Sequence, residues 1–85
     1  RLGNREEAVA LWRSALGQGQ LYPYVELAKH YEHHDKDYAQ ALRLVQEAIE
    51  LVDSTPYDAS WRKQRDLEEL HHRRDRLQAK LGRRA

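Results

Sequence analysis

Eighty-five residues, 40% hydrophobic and 34% charged, suffice for one small core, and the absence of Phe, Met and Cys leaves Leu, Val, Ala, Tyr and Trp to build it. Without cysteine there is no disulfide framework and no thiolate metal site. No apolar run approaches the roughly 20 residues of a membrane span, and the first residues lack the order of a signal peptide, so the expected compartment is the cytoplasm. The net charge of +1 conceals an asymmetry, because residues 1–61 carry six basic and ten acidic side chains whereas residues 62–85 carry nine basic and four acidic.

Apolar positions recur at intervals of three and four almost throughout, which predicts helices and no strand. A first helix is expected over 5–16, with Asn4 capping free backbone N–H groups and Glu7 reaching back three residues later. Gly17 and Gly19 supply the left-handed conformations that end it. A second helix over 23–34 opens at Pro23, whose missing N–H has no partner to lose in a first turn. Val25, Leu27, Ala28 and Tyr31 give it an apolar side, and His33, His34, Asp35 and Lys36 read as the following loop. The third helix, 38–52, is the clearest. Asp37 caps it, Gln40 completes the capping box, and Tyr38, Ala41, Leu42, Val45, Ala48, Ile49 and Val52 line one face.

Ser54, Thr55 and Pro56 break that pattern, and Thr55 to Asp58 reads as the cap of a fourth helix over 56–81, about 39 Å long, stopped by Gly82. Its apolar content is thin. Trp61, Leu67, Leu70, Leu77 and Leu81 are its apolar positions, and Arg74 stands where a heptad seam wants another. The expectation is a docked first half and a C-terminal half exposed or covered by something outside the chain.

Residues 3–16 and 36–49 align at an offset of 33, both reading turn, acid or amide, three intervening residues, Ala, apolar, then a large residue and a second Ala four and seven residues after the first. This pattern resembles the second helix of a tetratricopeptide repeat. Leu27-Ala28-x-x-Tyr31 resembles the Leu-Gly-x-x-Tyr of that repeat's first helix, although the loop from Glu32 to Asp37 is about one residue longer than the family norm, and Pro56 comes later than the family's proline. The resemblance implies an all-α, antiparallel helix-turn-helix fragment of a right-handed superhelix in a single domain over 1–85. Residues 1–19 would be the second helix of a truncated repeat, 20–53 one full repeat, and 54–85 a basic capping helix. It further implies a piece of a longer protein whose first helix can pair with another copy, since an unpaired apolar face is costly to expose. The wording from Tyr24 to Leu42 with the basic final helix also resembles the C-terminal repeats of bacterial proteins carrying a ribonuclease-H-like exonuclease domain.

The repeat resemblance implies a concave wall of Tyr22, Val25, Lys29, Glu32 and His33, and hence a non-enzymatic scaffolding module that binds an unidentified protein or peptide. The alternative is a nucleic-acid-binding accessory region of an upstream nuclease, whose phosphate contacts would come from Arg73, Arg74, Arg76, Lys80, Arg83 and Arg84. Interspersed acids can pair with these cations at helical spacing, as Glu69 with Arg73, which favours a solvated cap.

His30 and His34 stand one turn apart, a spacing at which two imidazoles can share a metal, but no third ligand is fixed, and a packing or solvated role is expected. No serine has an activating base, and Gly17-Gln18-Gly19 is too short to cradle a phosphate. No catalytic residue, cofactor or metal ligand is therefore expected in this chain.

Overall fold

A computed structural model describes residues 2–84; of these, the side chains of residues 2, 3 and 84 are not described. The described residues form four α-helices and a π-helical turn, with no strand among them: α1 (Leu2–Ala15), α2 (Tyr22–Lys29) continued by a π turn (His30–His34), α3 (Tyr38–Ser54) and α4 (Ser60–Arg84). They pack mainly as chain neighbours, α1 on α2, α2 on α3 and α3 on α4. The result is a slab measuring 39 × 31 × 17 Å.

Local chemistry explains most of the boundaries. Gly17 and Gly19 have φ of +84° and +82°, which L side chains resist, so the chain reverses there after α1. Pro23 sits in the first turn of α2. The backbone N–H of Gln40 donates to Asp37 Oδ1 at 3.2 Å, so the expected cap of α3 is formed. At the end of α3 the hydroxyls of Ser54 and Thr55 donate back to carbonyls of the preceding turn, Thr55 to Leu51 at 2.6 Å.

Three boundaries correct the sequence reading. α1 is already helical at Leu2, so Asn4 lies inside the helix rather than capping it. α4 begins at Ser60, not at Pro56, and runs through Gly82 to Arg84. The second helix does not continue as a regular α-helix to residue 34. From His30 it widens into the π turn, where the Asp35 N–H donates to the His30 carbonyl at 3.2 Å and the Asp37 N–H to the Tyr31 carbonyl at 2.7 Å. Lys36 then adopts φ +57°, a strained value for a side chain other than glycine, and turns the chain into α3. A π turn closes its hydrogen bond over one more residue than an α-helix does.

The core joins Leu27, Ala28 and Tyr31 to Ala41, Leu44, Val45, Ala48 and Val52 of α3 and to Leu70 and Leu77 of α4. Tyr38, Leu42 and Ile49 of the predicted face pack at its margin, and Leu44, off that face, is buried. α3 is buried on a broad stripe because it packs between α2 and α4. Ala41 and Ala48 are buried, whereas Ala8 and Ala15 are half-buried, because α1 has its main neighbour on one side only. Leu77 is fully buried, so the C-terminal half of α4 is docked within the chain and not exposed as expected.

Candidate functional site: a charged groove between α2 and α4

The residue that organises this region is Glu32. In the π turn its side chain is carried inward until none of it is exposed, and its carboxylate meets three cations of α4. Arg73 Nη1 donates to Oε1 at 3.1 Å and Arg76 Nη2 to the same oxygen at 2.9 Å. Arg76 Nε and Lys80 Nζ each donate to Oε2 at 2.8 Å. A carboxylate offers about four lone-pair sites, so these bonds saturate it. Positions 73, 76 and 80 fall on one side of a helix and bracket Leu77, so the apolar seam and the ionic contacts dock α4 together.

Burial pushes the Glu32 carboxyl upward, but hydrogen bonds and charge from Arg76 and Lys80 outweigh it and hold the group at about 2, below its ordinary 4.5. The same hydrogen bond raises the pKa of Arg76 against the opposing effect of its own burial. Lys80 also lies over the ring of Tyr38, 5.1 Å from its centroid.

Beside this cluster lies an open groove of about 600 Å³ between Leu21 and Val25 on one side and α4 on the other. Leu21, Val25 and Leu70 supply its apolar surface. Arg73 and Arg76 stand toward one end along α4 with His72 beside them, and Asp66, Glu68 and Glu69 lie one to two turns earlier, preceded by Arg65. Asp66 is already engaged, accepting from the Tyr57 hydroxyl at 2.9 Å and lying 3.5 Å from Arg65 Nε. Burial, followed by the bond and charge of Asp66, raises the Tyr57 pKa. One turn before Arg65, Trp61 is 60% exposed, and the guanidiniums of Arg62 and Arg65 lie over its ring at 5.6 and 5.5 Å.

The expected concave wall is therefore divided. Tyr22 is exposed, Val25 lines the α2–α4 groove, and Lys29 pairs with Glu26 at 3.7 Å on the surface. Glu32 is corrected from a wall residue to a buried one, and exposed His33 lies beside it, with Nε2 at 3.6 Å from Oε1. The basic tract is divided as well. Arg73, Arg76 and Lys80 turn toward Glu32, and Arg73 takes that partner in place of Glu69. Arg74 pairs with its neighbour Asp75 at 3.2 Å, Arg83 is exposed, and the Arg84 side chain lies outside the described residues.

His30 and His34 come together, but as packed rings with centroids 5.2 Å apart. His30 is buried, with Nε2 3.2 Å from Asp35 Oδ2. Among the described residues no three His, Asp or Glu side chains are grouped so as to hold a metal ion. No helix among them is long and apolar enough to cross a membrane.

With this geometry in view, comparison with known proteins finds one relative of note. The chain is similar to the uncharacterized protein YprB of Bacillus subtilis (strain 168). The two are 34% identical over 81 residues, an alignment covering 91% of this chain and 18% of YprB. The chain thus corresponds to a minor part of that protein's length. No family model matches the chain, and no solved structure matches it.

Proposed function

We propose that this chain is a non-catalytic, tetratricopeptide-like interaction module that takes a segment of a partner protein in the α2–α4 groove. The observation that carries this reading is the fate of the basic tract. Arg73, Arg76 and Lys80 all hold the buried Glu32 carboxylate, so half of the six cations named for phosphate contact are tied to the fold and do not form a freely exposed basic face. Arg73 and Arg76 also line an open groove of about 600 Å³ in which Leu21, Val25 and Leu70 lie among charged side chains of both signs, a surface suited to a mixed apolar and charged segment. A reducing compartment such as the cytoplasm suits a chain without cysteine.

The test is selection of a random peptide library on the chain, with a Val25→Arg variant as control, because a long side chain rooted at Val25 fills the groove while keeping its charge in water. Enriched peptides are expected to bind the parent chain and to lose binding to the variant, with far-UV circular dichroism and melting temperature preserved. Equal enrichment on both chains refutes the groove.

Exposed Trp61 under Arg62 and Arg65 favours a second reading, in which the chain helps an attached nuclease domain hold single-stranded nucleic acid by stacking and charge. That reading expects oligothymidylate binding that weakens steeply from low to physiological salt and disappears in Trp61→Ala. Undetectable binding at low salt removes it.

A further inference from the structure

Glu32 is one anion surrounded by three cations, and its oxygens have no further lone pairs to offer. The cluster carries an excess of two positive charges in a partly dried site, the side chains of Arg73, Lys80 and Arg76 being 21%, 26% and 37% exposed. The donors are not exhausted with the acceptor. A guanidinium carries five N–H donors; Arg73 gives Glu32 one nitrogen and Arg76 gives two. Both arginines also line the groove, next to Leu70 and across from Val25.

We propose that Arg73 and Arg76 form a carboxylate-binding subsite in the α2–α4 groove, which takes an acidic side chain adjoining an apolar one in a partner polypeptide. This rests on the interaction-module reading and specifies its ligand. Glu32 holds the two arginines in place from beneath, so little side-chain entropy is lost when a second carboxylate arrives. Charge-assisted, fork-shaped contacts of this kind are the strong ones.

Although Arg65 also lines the groove, the acids between it and Arg73 favour a single carboxylate over a phosphate backbone. Glu68 and Glu69 line the groove about one turn before Arg73. A strand carrying a phosphate at every nucleotide would set negative charge against them wherever it passed. A single carboxylate at the Arg73 end avoids them, and its apolar neighbour meets Leu21, Val25 and Leu70.

The experiment is a heteronuclear NMR titration of the chain with two dipeptides blocked at both ends, leucine followed by glutamate and leucine followed by glutamine, with oligothymidylate as a third ligand. The glutamate dipeptide is expected to shift the Arg73 and Arg76 side-chain Nε–H signals and the Val25 and Leu70 methyls, and the glutamine dipeptide to bind roughly tenfold more weakly. Arg73→Gln should remove that tenfold preference, and it leaves Glu32 with Arg76 and Lys80, so the melting curve shows whether the fold is retained. Arg74→Gln, which removes a cation outside the groove, should leave the preference intact. Equal shifts from both dipeptides overturn the subsite but keep a peptide groove. An absence of shifts from either dipeptide, while library-selected peptides still bind, overturns the subsite alone. Oligothymidylate shifting the two arginines in preference to the dipeptides overturns both proposals.

Discussion

Replacing Glu32 by Gln keeps the shape of the side chain and removes its charge, leaving Arg73, Arg76 and Lys80 facing one another across a neutral amide. A carboxyl that titrates at about 2 in the folded chain and near 4.5 when unfolded stabilises the fold at neutral pH by about 3 kcal/mol, at about 1.4 kcal/mol per pH unit. Removing one partner of a buried ion pair costs about 3–5 kcal/mol, so two routes give a similar magnitude. Because the folded-state pKa is lowered, this stabilisation is fully present above pH 4.5 and is lost as pH falls from there toward about 2. The assay is urea unfolding followed by circular dichroism at a series of pH values. At neutral pH Glu32→Gln should unfold about 3 kcal/mol more easily, a melting-temperature loss on the order of 10–25 °C for a domain of this size. The difference between the two chains should shrink as pH drops through that window. A variant within about 0.5 kcal/mol of the parent at pH 7, the range of an ordinary surface change, would refute the account of Glu32 as the buried anchor of α4.

Two further outcomes test the packing. Leu77→Ala should cost about 2–5 kcal/mol in the same unfolding assay because Leu77 is fully buried, whereas an exposed C-terminal half would make it nearly neutral. Asp37→Ala should cost about 1 kcal/mol through loss of the bond from the Gln40 N–H, and hydrogen exchange should quicken in the first turn of α3.

The candidate site was half legible in the residues. Val25, which the repeat resemblance puts on a binding wall, does line the groove, and the basic tract stands out in the charge pattern. The direction of that tract was not. Positions 73, 76 and 80 carry a signal, three cations on one side of a helix around Leu77, but its meaning depends on an acid more than forty residues away. The nearer acid, Glu69, offers an equally good local pairing for Arg73. The choice went to Glu32 because a buried carboxylate gains far more from a cation than a solvated one does.

What the sequence determined by itself is what neighbouring residues decide among themselves. The 3.6-residue periodicity makes the chain helical, Asp37 caps α3, and Gly17 and Gly19 turn the chain. Each depends on groups within a turn of one another. Only the tertiary structure decided that His30–His34 forms a π turn, that this turn sends Glu32 inward, and that α4 stays docked as far as Leu77 and Lys80. Those outcomes weigh desolvation against charge between segments distant along the chain, a balance that exists only once α4 lies beside the π turn.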